Sequence, residues 1–296
     1  MTTHPGLVYQ EDYFSDPVGW SAVKDLLRDI FGIDISPLDR LGGPDPTSMP
    51  SAWFDESGRC IANLSAFSMP VVMNGRPVRA AGLQSGAVRP EWRGRGLFRS
   101  VLTRTLERID DAGFEAALLY TDKPALYEPY GFVAVPQFVF EGPPPASGTQ
   151  QAGTRRLDVG DAGDLDILRD LLARRSPVSH RFAVSTQSAM FLLNCVLVDA
   201  VRLDVLTDCG CVVAWRMGDG DAFELLDIVG PEMPSLATII ASLSIAPAKV
   251  LVHIPPDRLD WTGTPVPEET DLVFMVRGAA GRVPTEPFCL SPMAEF

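Results

Sequence analysis

The stretch "RAAGLQSGAVRPEWRGRGLFRSVLTRTLERIDDAG", residues 79–113, admits few folds. An apolar run ending near Val88 reads as a strand, and helix-spaced apolar residues begin near Leu97 and stop at Gly113, a residue suited to a C-cap. Between them lies a turn holding Gly94 and Gly96 among Arg93, Arg95 and Arg99. A strand, a glycine turn and a helix leave unpaired N–H groups at the helix start, where the helix dipole adds partial positive charge. Such a junction is an anion site: glycines let the main chain approach a bulky phosphate, and the arginines supply charge and directed donors. The clustering is not compositional, because 6 of the 13 basic residues before position 146 fall between positions 89 and 108, in a chain of net charge −13. That acidity excludes a surface built to neutralise nucleic-acid phosphates and suits neutral or cationic small substrates.

Around this junction the elements alternate. "DPVGWSAVKDLLRDIFGI" places Trp20, Val23, Leu26, Leu27, Ile30 and Phe31 at helical spacing. Residues 51–88 carry turn signals at Glu56-Ser57-Gly58 and Asn74-Gly75, which predict an antiparallel meander of about three strands. After the Gly113 stop, "FEAALLY" reads as a strand, "PALYEPYGF" as a short helix breaking at Gly131, and "VAVPQFVF" as a further extended piece. The segment "EGPPPASGTQQAGT", residues 141–154, has the composition of a linker. Beyond it the order of elements repeats, with helices over "DAGDLDILRDLLARR" and "TQSAMFLLNCVLVD" and a second meander through "VRLDVLT", "CGCVVAWRM" and "DAFELLDIVG". A helix and a strand follow in "PSLATIIASLS" and "KVLVHIP". The pattern predicts an α/β chain with mixed (α+β) sheets in two similar domains, residues 1–140 and 155–296, joined by residues 141–154.

The turn is not Gly-x-x-x-x-Gly-Lys-[Ser/Thr], and the preceding strands form a meander, so a nucleotide P-loop is excluded by pattern. A pyrophosphate held by one turn fits a carrier such as coenzyme A. "VRPEWRGRGLFRSVL" resembles the Arg-x-x-Gly-x-Gly/Ala motif of the GNAT acetyltransferases, with Arg93 and Gly96 in register, and "LYEPYGF" resembles the later Tyr-x-x-x-Gly-Phe motif. Phe98 departs from the usual Gly or Ala, in a way similar to the enhanced-intracellular-survival type of aminoglycoside acetyltransferase, which also carries a degenerate second GNAT domain. Those relatives end in a sterol-carrier-like domain, for which this chain is too short.

The resemblance implies that acetyl-coenzyme A is the co-substrate. It implies that Gly86, Ala87 and Val88 hold the pantetheine arm, that Gly94, Arg95, Gly96, Leu97, Phe98 and Arg99 wrap the pyrophosphate with Arg93, and that Thr121 and Asp122 close the site. Tyr127 stands where the family's general acid stands, with Tyr130 as a packing neighbour. An unperturbed phenol, pKa about 10, gives a nearly balanced proton donation to a thiolate leaving group. The general base is not legible: Gln84 and Ser85 stand where some relatives place a glutamate. A water chain, a carboxylate such as Glu11, Asp12 or Asp55, and a terminal carboxylate on Phe296 remain open.

In the second half the equivalent junction, "LDIVGPEMPSL", has no arginine and an acidic Glu232, so only the first half is expected to bind cofactor. The second domain then shapes the substrate cleft or the interface of a homo-oligomer. "ARRSPVSHRF", residues 173–182, reads either as an acceptor-pocket wall or as an exposed loop. Five irregularly spaced cysteines and three scattered histidines predict neither a disulfide framework nor a metal site. With no signal-like leader and no run near the roughly 18 apolar residues of a membrane span, the chain reads as soluble and cytoplasmic, with no membrane partner.

Three functions fit this reading. The first is transfer of acetyl from acetyl-coenzyme A to a primary amine of a small, cationic acceptor. The second is a non-catalytic coenzyme A-binding sensor or scaffold. The third, a tandem enzyme with two working sites as in mycothiol synthases, is opposed by the composition of "VGPEMPSL".

Overall fold

The computed structural model describes residues 4–146 and 153–296. Along the first half run β1 (Leu7–Glu11), α1 (Pro17–Phe31), α2 (Leu38–Leu41), β2 (Met49–Asp55), β3 (Cys60–Ser68), β4 (Val71–Met73), β5 (Arg76–Val78) and β6 (Ala80–Val88). Then come α3 (Leu97–Asp111), β7 (Ala116–Thr121), β8 (Val133–Ala134) and β9 (Phe138–Gly142). The second half holds β10 (Thr154–Leu157), α4 (Ala162–Ala173), β11 (Phe182–Val184), α5 (Ala189–Leu197), β12 (Arg202–Leu206), β13 (Cys211–Gly218) and β14 (Ala222–Val229). It ends with α6 (Leu236–Ser242), β15 (Lys249–Val252), β16 (Thr264–Pro267) and β17 (Val273–Gly278).

Local chemistry accounts for the predicted helices. Asp16 caps α1 by accepting from Val18 and Gly19 N–H, Pro17 occupies the first turn, and Gly32 closes the helix at φ 70°. Trp20, Val23, Leu26 and Leu27 are buried on one side of the first sheet, while Leu97, Val101, Leu102, Leu106 and Ile109 of α3 are buried on the other. Two apolar layers thus sandwich one sheet, and α4, α5 and α6 do the same for the second.

Sheet order departs from sequence order. The first sheet runs β1-β2-β3-β6-β7-β17-β8 and the second β10-β12-β13-β14-β15-β9-β16. "VAVPQFVF" is therefore two strands, β8 and β9, which part around Pro136 and Gln137 and enter different sheets. Proline has no N–H for a ladder, so a break there costs nothing. Strand β17, from the second half, pairs antiparallel with β7 from Val273↔Thr121 to Gly278↔Ala116. Each sheet thus contains a strand contributed by the other half of the chain. The segment 141–154 begins inside β9, and its residues 147–152 lie outside those described. The Asn74-Gly75 hairpin forms as β4 and β5, with both turn residues at positive φ, but it leaves the meander to pair with β11 of the second half.

Candidate functional site

Strands β6 and β7 are parallel neighbours over three registered pairs, ending at Gly82↔Leu118. Beyond that point β6 stays paired with β3 as far as Val88, and β7 stays paired with β17 as far as Thr121. Each strand keeps an outer partner while the inner edges part, so the sheet opens as a V without being dismantled. A bulge helps to steer β6: Ser85 takes φ 61°, and its carbonyl accepts from Asn63 Nδ2 at 2.9 Å. The buried Tyr13 hydroxyl donates to Asn63 Oδ1 at 2.6 Å and holds that amide in place.

A cavity of about 300 Å³ fills the opening on the α3 side. It brings together Gly86, Ala87 and Val88 of β6, then Arg93, Gly94 and Gly96 of the turn with Leu97, Phe98 and Arg99 of α3, and finally Thr121, Asp122 and Tyr127. Ile30, Phe31, Trp92, Lys123 and Leu126 also line it and were not anticipated from sequence. The first two are apolar residues at the end of α1, indistinguishable by periodicity from its core-facing set. Arg95 is placed outside: its guanidinium stacks 4.7 Å from the Trp92 ring centroid and donates to the Glu91 carbonyl. Arg93 Nε donates to the Val88 carbonyl at 3.1 Å, tying the turn to the strand end.

Both turn glycines have left-handed backbones, Gly94 at φ 76° and Gly96 at φ 77°, with open space where a Cβ would stand. Their requirement is conformational rather than one of crowding. Gly96 is the N-cap of α3 and offers no side-chain acceptor, so the first N–H groups of a 15-residue helix lack a side-chain cap beside the cavity.

Tyr127 is 7% exposed, with its ring edge-on to Phe98 at 5.7 Å and to Phe132 at 5.8 Å. Phe98, the departure from the family motif, buttresses this ring. Burial, and then the charge of Asp122, push the Tyr127 phenol up to about 12. A Cβ added to Gly86 would stand 3.2 Å from the Tyr127 hydroxyl and 3.2 Å from Leu64 Cδ1. Gly86→Ala is therefore expected to shift the hydroxyl by a few tenths of an ångström and to slow turnover on the order of tenfold, since sub-ångström misplacement is costly in catalysis. Steady-state thiol release together with a melting curve checks this; an unchanged rate would show that the spacing is not critical.

On the α1 face of the opening, Phe296 packs over the first sheet, its ring 5.3 Å from Phe67 and 6.3 Å from Tyr120. It does not share the cavity of Tyr127. Gln84 and Ser85 reach the same face and border a small cavity with Trp20, Leu38, Met190 and Leu193. The other base candidates are engaged elsewhere: Glu11 accepts from Tyr9, Asp12 pairs with Arg108, and Asp55 caps the Ser57–Arg59 turn. Residues 173–182 are not a simple exposed loop, because Arg175, Val178, Ser179 and Phe182 are buried while His180 is exposed.

The second sheet has a similar opening, since β14 and β15 run parallel as far as Leu225↔Val252. Protein fills it. Arg175 Nη2 meets Asp227 Oδ1 at 2.8 Å with the two side chains 2% and 1% exposed, and Ser291 Oγ donates to Asp227 Oδ2 at 3.0 Å. About 10 Å³ remains there, no more than a single water requires. Among the described residues no three His, Cys, Asp or Glu side chains converge on a metal-sized gap, and no helix is long and apolar enough to cross a membrane.

A mixed sheet parted beside a glycine-arginine turn, with a helix start that has no side-chain cap and the Tyr127 phenol on the same cavity, forms one candidate site. Residues 20–135 match the family described as an acetyltransferase (GNAT) domain. The matched region carries β6, the glycine-arginine turn, α3, β7 and Tyr127. No curated protein matches the sequence. Among solved structures the chain is similar to a conserved protein of unknown function from Enterococcus faecalis V583, at TM-score 0.61 and 15% identity over 94% of this chain and 72% of that one. A GCN5-related N-acetyltransferase from Kribbella flavida gives 0.57 and 17% over 92% and 72%, and Eis1 from Mycobacterium abscessus gives 0.59 and 15% over 92% and 73%. These span both halves, so the two-domain fold is shared with them.

Proposed function

We propose that this protein transfers the acetyl group of acetyl-coenzyme A to a primary amine of a small, cationic acceptor. The observation that carries this reading is the convergence of the uncapped α3 N-terminus, the parted edges of β6 and β7, and the Tyr127 phenol on one cavity. The pyrophosphate is held by the first amides of α3 and by Arg93, and the pantetheine lies along Gly86–Val88. Its thioester then reaches Tyr127. In turn the first half, residues 1–140, holds the cofactor and supplies Tyr127, while residues 155–296 shape the acceptor side, beyond a linker at 141–154. The net charge of −13 attracts polycationic amines through a field that salt weakens.

Tyr127 stabilises the departing sulfur. A phenol near 12 lies well above a thiol, about 8.5, so complete proton transfer is uphill and not balanced as the unperturbed value suggested. The phenol instead stays protonated at neutral pH and donates its hydrogen bond as negative charge develops on sulfur.

Thiol release measured across a panel of alkyl amines, polyamines and aminoglycosides tests the reaction. Cofactor binding without turnover on any of them would favour a coenzyme A-binding sensor instead. Arg93→Ala is expected to weaken acetyl-coenzyme A binding by about 1.5 to 3 kcal/mol, the range for a charge-assisted hydrogen bond. Arg95→Ala, whose guanidinium lies on Trp92 outside the cavity, is expected to weaken it less. Calorimetric titration separates the two.

A further inference from the structure

The attacking amine needs a proton acceptor, and Glu11, Asp12 and Asp55, the three early carboxylates named from the sequence, are engaged elsewhere. The sheet order β3-β6-β7 and the registers Phe67↔Gly82 and Gly82↔Leu118 locate the place where one should stand. Continuing the parallel register two residues past the last pair sets Gln84 level with Tyr120, one on each lip of the V. The Phe296 ring touches Phe67 on β3 and Tyr120 on β7, so it spans β6 at the apex of the opening on the α1 face. Its neighbour Glu295 is anchored there, because Asn194 Nδ2 of α5 donates to the Glu295 main-chain carbonyl at 2.9 Å.

A second observation marks this spot as a ligand site. The Tyr120 hydroxyl is buried and has no hydrogen-bond partner among the described residues, an arrangement that native interiors avoid unless something else binds. Its electrostatic neighbours are Glu295, Glu268 and Cys289. Two carboxyls and an orphan hydroxyl form an environment that an ammonium group would complete.

We propose that the Glu295 side chain takes the proton from the attacking amine on the α1 face, while Tyr127 acts from the α3 face. This rests on the transfer reaction proposed above. The acceptor ammonium gives one N–H proton to Glu295, and the freed nitrogen lone pair adds to the thioester carbon. When the C–S bond breaks, its electron pair leaves on sulfur. Nitrogen loses a second proton, which balances the one that the thiolate takes up; the products are an amide, a thiol and one proton passed from Glu295 to water.

Burial, and then the charge of Glu268, raise the Glu295 carboxyl to about 7. The groups facing it are Glu268 beyond β16 and Tyr120 of β7; Cys289 adjoins Tyr120 and Glu268, His253 after β15 opposes the rise at Glu268, and Arg181 acts on Cys289. Activity on an alkyl amine is therefore expected to climb with pH through about 7 as this carboxyl ionises.

Glu295→Gln keeps the volume and the Asn194 bond to the main chain. We expect kcat/KM for an alkyl amine to fall about a hundredfold and its acid limb near pH 7 to vanish. Acetyl-coenzyme A affinity and the rate with an alkoxyamine, already neutral at that pH, should stay close to wild type. A fold-only readout accompanies this. A carboxyl raised from about 4.3 in the unfolded chain to about 7 in the folded one costs stability as pH rises through that window, so E295Q should flatten the fall of Tm over it. An acid limb that persists in E295Q overturns the assignment alone. Failure of the wild type to release thiol with any amine overturns acetyl transfer, and this assignment with it.

Discussion

Replacing Tyr127 by phenylalanine lowers kcat by about a hundredfold or more, the range for loss of a general acid, and leaves acetyl-coenzyme A affinity and Tm nearly unchanged. The substitution is clean because the ring makes the packing contacts, edge-on to Phe98 and Phe132, and only the hydroxyl is removed. The loss should be constant across neutral pH, since a phenol held near 12 has no ionisation there. Any limb near pH 7 then belongs to another group. Single-turnover rates with a fixed amine, beside calorimetry of cofactor binding, measure both halves of the prediction. A kcat within threefold of wild type would leave Tyr127 as a packing residue and remove the acid from the mechanism.

Much of this site is legible in the sequence, for a physical reason. A strand, a glycine turn and a helix at fixed spacing are local features, and local features carry their signal in consecutive residues. Gly94 and Gly96 announced positive φ, and Leu97, Val101 and Ile109 announced the buried face of α3. The residues that were not readable are those whose meaning depends on distant partners. Nothing in "VAVPQFVF" says that Val133 pairs with Val276 while Val139 pairs with Val266, because both halves are short apolar runs. Arg175 looks like one arginine of a basic loop until Asp227, 52 residues away, is placed against it. The orphan hydroxyl of Tyr120 is likewise invisible until the chain end folds back over β6.

The exchanged strands give the second half an influence on the first that its own chemistry does not explain. Leu290 N–H donates to Gln137 Oε1, Ser291 Oγ bonds Asp227, and four residues later Glu295 and Phe296 lie on the first sheet. One short segment therefore closes the opening in the second sheet and lays Phe296 on the α1 face of the first. In the proposed reaction the second half thus bears on transfer, because the filling of its own opening positions the segment that carries Glu295 and Phe296.

Arg175→Ala should accordingly be among the most damaging single changes in the chain, although it lies outside the Tyr127 cavity. Removing the guanidinium leaves the Asp227 carboxylate buried, with Ile228 N–H and Ser291 Oγ as its remaining donors. Breaking one side of a buried ion pair typically costs about 3 to 5 kcal/mol, a large part of the roughly 5 to 15 kcal/mol by which domains are stable. A drop in Tm on the order of 10 °C follows for a chain of this size. Because each sheet holds a strand from the other half, the loss should appear as a shift of one cooperative transition rather than as a separate early one. Activity measured below the new Tm should also fall, since Ser291 anchors the segment that carries Glu295. Arg175→Met with Asp227→Leu distinguishes charge from shape: it removes both ions together, and such apolar replacements are often neutral or stabilising. Recovery of Tm in the double variant with activity still reduced would show that the Asp227–Ser291 bond positions the chain end; recovery of both would show that packing alone suffices.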